Sequence, residues 1–334
     1  FRPPSNALGR GPAPRLSLTA LITSLRSLLT LAFSAFIVAG LNAETQTAPS
    51  AAPGGRLFVS SFMTMHDPFF VSLNEGIKQA VEAHGDRVVF LNGEHSRQKQ
   101  EKDILDVLKQ HPAAIFLIPA TDAGASDGIL AAAHEQHVPV ILVDTDLGSP
   151  TLALCQVLTD NLGAGKLSCG ELARVKPKAK VGVLSFSLSK SCVDRVEGFR
   201  SEMKKYPTMT ILATQDGHAN KDGVRGVIHD FLAAHPDMDA IFAINDVSAL
   251  AAIAGIEAAG RAGTITVQGV AGSVEGVEAI KEGKLLSTCA QLPAEMGRVA
   301  VEKAYDALAG KPVEKDVRVP VKLVTKANAS DFLR

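Results

Sequence analysis

Beyond residue 55 the chain alternates short, near-continuous apolar runs with longer stretches whose apolar residues recur every three or four positions. "RLFVSS" (56–61), "RVVFL" (87–91), "AAIFLI" (113–118) and "PVILV" (139–143) have the pattern of strands covered on both faces. Between them, Leu73, Ile77, Ala80, Val81 and His84 fall on one helical face, and Ile104, Leu105 and Leu108 mark another. This βαβ alternation predicts a doubly wound parallel sheet.

The pattern then restarts with "AKVGVLSF" (179–186), "MTILAT" (209–214), "DAIFAI" (239–244) and "TITVQGV" (264–270). The third runs echo each other in wording, "HPAAIFLI" from His111 and "HPDMDAIFAI" from His235. Two similar α/β lobes are the simplest account. Ligands of open α/β sheets sit outside the carboxyl ends of the strands, so the residues just after each run are where chemistry is sought.

After the first run comes "MHDPFF". Asp67 and Pro68 suit a helix start, as N-cap and first helical residue. Phe70 shares a stripe with Leu73 and Ile77, whereas Phe69 is turned about 100° away and is free to stack on the C–H face of a small ligand. Asp144 stands directly off the fourth run, where a carboxylate can accept two hydroxyl hydrogen bonds; Asp146 is accounted for by the turn before Pro150. In the second lobe "SKSCVDRVEGF" takes the place of "MHDPFF". Cys192, Val196, Phe199 and Met203 form its stripe and Arg195 lies at the edge, either solvated and paired with Asp194 or Glu197, or a binder. Asp246 reads as the N-cap of the next helix, leaving Asn245 to face the crevice with a donor and an acceptor. Gln291, after "KLLSTCA", can do the same.

Composition removes several classes of function. The 334 residues carry 34 basic against 35 acidic residues, a formal net charge of −1, which is no footprint for a phosphate backbone, so nucleic acid is not an expected partner. "NLGAGKLSCG" (161–170) fails both phosphate-loop patterns, and the nine histidines have no metal-site spacing; no cofactor and no metal are expected. No GxSxG elbow or other nucleophile arrangement appears, which argues against an enzyme. Cys155, Cys169, Cys192 and Cys289 form no CxxC pair and are read as buried free thiols. At the other end, Arg2, Arg10 and Arg15 precede the apolar run "SLLTLAFSAFIVAGL" (27–41), the marks of an export signal; the run is short for a membrane span of about 20 residues. Residues 1–43 are assigned to that signal and 44–55 to a small-residue linker.

"DPFFVSLNEGIKQAVEAHG", "PVILVDTD", "LTDNLGAGKLSCGELA", "DRVEGF", "HPDMDAIFAINDVSALAAIAGIEAAG" and "EAIKEGKLLSTCAQLPAEMG", in this order, resemble the periplasmic sugar-binding proteins of the ribose-binding type, solute-binding proteins of ABC importers. The resemblance runs from about Arg56 to Val324. It implies two lobes joined by three hinge crossings near Asp160, Gln291 and Val321, with 56–159 plus 292–320 in the first and 160–291 plus 321–334 in the second. It implies a monomer in the periplasm that closes on a monosaccharide or polyol for a membrane permease or, alternatively, for a chemoreceptor or sensor kinase. The positions matching the family's binders are Asp67, Phe69, Phe70, Asp144, Arg195, Asn245 and Gln291, with His66, Thr145 and His218 as secondary candidates. Four positions depart. Thr145 stands for an arginine and Pro119 for an asparagine. Ala271 stands for a clamping aspartate, and the aromatic expected within 216–220 is absent, with His218 as its substitute. Ribose itself therefore fits poorly.

Overall fold

The computed structural model describes residues 55–120, 126–147 and 151–333. The leader and all of the linker but its last residue lie outside the described residues.

The first lobe holds β1 (Leu57–Phe62), α1 (Pro68–Ala83), β2 (Arg87–Asn92), α2 (Arg97–Leu108), β3 (Ala114–Leu117), α3 (Asp127–Glu135), β4 (Val140–Val143) and β5 (Cys155–Thr159). The second holds α4 (Asn161–Val175), β6 (Lys180–Ser185), α5 (Lys190–Met203), β7 (Thr210–Asp216), α6 (Lys221–Ala234), β8 (Ala240–Ala243), α7 (Asp246–Ala258), β9 (Thr266–Ala271), α8 (Val274–Glu282) and β10 (Ser287–Ala290). The chain then returns through α9 (Pro293–Leu308) and β11 (Asp316–Val319) to the first sheet and ends with β12 (Lys322–Thr325) in the second. The sheet orders are β11-β5-β4-β3-β1-β2 and β12-β10-β9-β8-β6-β7. All pairings in them are parallel except that of β12 with β10. Two doubly wound lobes of one design result.

Strand pleat explains the apolar runs. In β1, Phe58 joins Leu73, Ile77, Phe116 and Met296 on one face of the sheet, while Val59 joins Ile104, Ile115 and Leu142 on the other. β6 and β8 divide likewise: Val183, Phe199 and Phe242 pack on one face, Leu184, Ile228 and Ile241 on the other. Continuous apolar sequence is what a strand sandwiched between helices requires. The edge strands depart from the expectation, since β2 and β7 are half exposed along their length. Leu105 is 40% exposed; Val107 takes the place assigned to it in the core. His84 also leaves the buried face, as the exposed C-cap of α1 stacked on Tyr305 at 3.9 Å.

The chain passes between the sheets three times, at Asp160, at Gln291–Leu292 and at Pro320–Val321. The passages are tied to one another. Asp160 N–H donates to the Val319 carbonyl at 2.9 Å, and Gln291 Nε2 donates to Thr159 Oγ1 at 2.9 Å.

Each lobe also sets one helix pair unusually close. A Cβ on Gly76 of α1 would fall on the Ala294 carbonyl, and one on Gly297 of α9 on the Leu73 carbonyl. In the second lobe Gly198 of α5 meets the Leu162 carbonyl and Gly165 of α4 meets that of Arg195. The glycines of the phosphate-loop lookalike thus have a packing role: Gly165 lets α5, and with it Arg195, lie against the hinge side of the lobe.

Candidate functional site

In each sheet the winding reverses beside the first strand, β1 or β6, so the crevice at the carboxyl ends of the strands opens there. The segment after β1 carries Asp67. It caps α1, its Oδ1 accepting from Phe69 N–H at 2.8 Å, and Pro68 follows at the first helical position. Phe69 and Phe70 are both half-buried and meet edge to face, with centroids 5.6 Å apart. Phe70 continues to Phe62 at 6.3 Å, so Phe69 is the outer ring of a short aromatic stack. His66 is exposed, its Nδ1 3.3 Å from Thr64 Oγ1.

Asp144 leaves β4 in the left-handed region at φ +57, a conformation that aspartate tolerates better than most residues. It is half-buried, and its carboxylate has no hydrogen bond or ion pair among the described residues. Burial pushes its pKa up to about 7; Arg195 opposes the rise and Asp67 adds to it. Arg195 and Asp67, from opposite lobes, therefore both lie within electrostatic reach of Asp144.

Arg195 is the deepest of them, with 6% of its surface exposed. Its Nε donates to Asn161 Oδ1 at 2.8 Å and its Nη1 to the Ile244 carbonyl at 2.7 Å. Nη2 has no hydrogen-bond partner among the described residues, and the guanidinium makes no ion pair there. The solvated alternative is excluded, because Asp194 pairs with Lys190 instead. Burial lowers the arginine's pKa, with Asp144 and Asp246 among the groups that oppose this. Asn161, which holds it, was hidden inside the phosphate-loop lookalike; the only cue was its place one residue past the first crossing.

The reading of residues 245 and 246 needs correction. Asn245 is the N-cap of α7: its Oδ1 accepts from Ser248 N–H at 2.8 Å and its Nδ2 donates to the Ala219 carbonyl at 3.3 Å. Asp246 is buried, accepting from Thr288 Oγ1 at 2.6 Å and Ser273 N–H at 2.8 Å, with Gly269 and Gly276 leaving room for its carboxylate. Asn245 therefore shapes the rim with both polar ends engaged, and Asp246 ties α7 to β10 and to the turn after β9. Nothing in the local sequence separates an N-cap aspartate from an N1 aspartate whose partners lie 27 and 42 residues away.

Gln291 sits at the second crossing with Nε2 spent on Thr159 and Oε1 without a hydrogen-bond partner among the described residues. His218, at φ +53, is exposed beside Asp216, and Ala271, at φ +145, ends β9 half-buried. Thr145 and Asp144 line a cavity of about 170 Å³ between the lobes, facing Ser189, Lys190, Ser191 and Asp194 across it, with Arg318 at its edge. The other site positions lie outside this cavity. The four cysteines are buried and unpaired, and burial pushes the thiols of Cys155 and Cys289 up to about 11 and that of Cys169 to about 12. Among the described residues no group of three or more His, Cys, Asp or Glu side chains is placed to hold a metal.

A family model described as a periplasmic binding protein domain matches residues 58–312. The chain belongs to the periplasmic binding proteins. It is 30% identical to the ribose import binding protein of Bacillus subtilis over 268 residues, 80% of this chain and 86% of that one. With the ribose import binding protein of Escherichia coli it shares 31% over 270 residues, 79% and 88% of the two chains. Among solved structures it is similar to an ABC transporter solute-binding protein from Agrobacterium vitis bound with α-D-tagatopyranose, at 26% identity and a TM-score of 0.69, covering 83% of this chain and 96% of that one. The chain is a ribose-binding-protein-like member of the family, with two lobes of the type I fold, and a binding protein rather than an enzyme.

Proposed function

We propose that the chain captures a small sugar or polyol between its lobes and delivers it, in the closed form, to an ABC importer. The observation that carries this reading is Arg195, a buried cation that makes no ion pair among the described residues, within electrostatic reach of the Asp144 carboxylate from the other lobe, which has no hydrogen bond among those residues either. A buried charge left short of partners is costly, and such a cost is retained where a ligand group completes the set. A ligand hydroxyl can donate to Asp144 while its oxygen accepts from Arg195 Nη2. Both bonds form only when the lobes approach, so the ligand favours closure by its differential contacts. Phe69 supplies a flat apolar wall against which ring C–H groups stack, and Gln291 presents Oε1 from the crossing itself.

The wider reading rests on the relatives, which are import binding proteins by name. On it the protein is exported to the periplasm, acts as a monomer and is composed of lobes 56–159 plus 292–320 and 160–291 plus 321–334. Native mass spectrometry of the protein as purified, followed by a melting-temperature panel of pentoses, hexoses, deoxy sugars and polyols, tests it. At least one such compound is expected to raise the melting temperature. A panel without a single stabilising compound, on protein free of carried-over ligand, overturns the reading.

A further inference from the structure

On the outer face of the second lobe, α6 and α7 leave between them a groove of about 880 Å³. Gly255 sets their spacing: a Cβ there would come within 2.8 Å of Ile228 Cγ2, so the two helices meet at the bottom of the groove. The floor is apolar, built by Leu232 of α6 and by Leu250, Ala251, Ala254 and Ala258 of α7. On α7 the stripe continues to Val247, which is 44% exposed, and Ala254 and Ala258 are exposed as well. This helix therefore keeps an apolar face in water although its other face already lies in the core of the lobe. The rim is basic. Lys221 and Arg225 of α6 and Arg261 after α7 line the groove, none of its lining residues is acidic, and Asp222 and Asp230 of α6 lie outside it. Arg261 donates to the Met238 carbonyl at 3.2 Å, whereas the side chains of Lys221 and Arg225 make no hydrogen bond or ion pair among the described residues. Other exposed helices neutralise their own cations, Lys102 with Asp106 in α2, Arg174 with Glu171 in α4 and Arg298 with Glu295 in α9.

An apolar floor between unpaired cations complements a guest with an apolar stripe flanked by carboxylates. From Leu250 to Ala259 the groove runs about 14 Å, the length of about two and a half helical turns. The small side chains along α7 let a third helix settle close to its backbone. We infer that this groove is a docking site for an acidic amphipathic helix of another protein. Both walls belong to one lobe, so a bend at the crossings leaves the groove as it is, and docking there is independent of whether the crevice is occupied. The inference stands apart from the sugar-capture reading.

Fluorescence anisotropy of a labelled synthetic helix titrated with the full chain tests the inference. The probe carries a leucine stripe flanked by glutamates; one control has lysine in place of glutamate and another has the same residues in scrambled order. The acidic helix should bind with a Kd below about 1 mM, and both controls about tenfold or more weakly. Arg225→Glu, which reverses an exposed rim charge, and Ala254→Gln, which fills the groove without changing charge, should each weaken binding about fivefold or more while leaving the melting temperature close to the parent's. Equal binding of the scrambled peptide would reveal charge attraction alone, and an affinity untouched by Ala254→Gln would place the contact elsewhere; either result overturns the inference. So does a chain that ignores the acidic helix at that concentration, whether it then binds phosphatidylglycerol vesicles or sediments as a dimer that Ala254→Gln splits, since the groove would then serve a lipid surface or a second copy.

Discussion

At Arg195 two costs oppose each other. The guanidinium pays for burial, and removing it would leave Asn161 Oδ1 and the Ile244 carbonyl without their donors. Replacement by methionine preserves most of the volume while removing the charge. Arg195→Met should therefore change the melting temperature of the empty protein by only a few degrees and abolish the ligand-induced rise. Collapse of the empty protein would make the arginine structural, and a retained ligand response would move the site elsewhere. Asp144 makes a separate prediction through pH. Its pKa is raised from an ordinary 3.8 to about 7, so between those values the native state holds a proton that the unfolded chain has released. Its contribution to stability therefore falls as pH rises through that window. Asp144→Asn, which keeps a residue at home at positive φ, removes the penalty. The variant should match the parent near pH 4 and exceed it at pH 8 by roughly 1–4 kcal/mol, read from denaturant titrations at both pH values. A pH-independent difference would show that the carboxyl titrates normally.

Among elements, legibility followed burial and range. Strands sandwiched between helices announced themselves as unbroken apolar runs, whereas β11 and β12, four residues each with alternating exposure, gave no such signal and exist because the returning chain is captured by sheets already built. Of the candidate site, the positions at strand ends were legible because topology places them: Asp67 caps α1 as its sequence implies, and Asp144 follows β4. What escaped was long-range. The sequence around Asn161 resembles a loop for phosphate, yet its glycine at 165 is there for α5. Gly76 and Gly226 separate the two uses of helical glycine. A methyl group on Gly76 would strike the backbone of α9, whereas one on Gly226, exposed in α6, meets nothing within 4 Å. Gly76→Ala should cost about 1–3 kcal/mol by forcing α1 and α9 apart, and Gly226→Ala should gain about 0.5–1 kcal/mol from helix propensity. Scanning calorimetry decides the pair: melting temperatures that shift in the same direction would refute the close-approach account.

For the whole molecule, the crossings decide how the crevice can shut. Three strand-like passages side by side allow a bend about the line joining them. The bonds Asp160 to Val319 and Gln291 to Thr159 keep them moving as one unit and resist sliding of one lobe past the other. A bend brings the β4 end toward α5, carrying Asp144 toward Arg195 and narrowing the cavity between Thr145 and Lys190. Closure without ligand would strip the remaining water from the half-buried Asp144 carboxylate without giving it a hydrogen-bond donor, a cost that a bridging molecule offsets, so the empty protein should rest open. Small-angle scattering should then show the radius of gyration falling when a stabilising sugar is added. Arg195→Met should keep the open profile at the same sugar concentration, because its crevice can no longer make the bond that rewards the bend. A profile unchanged by a sugar that calorimetry proves bound would mean that the lobes are locked, and that whatever a membrane partner recognises is not a closed shape.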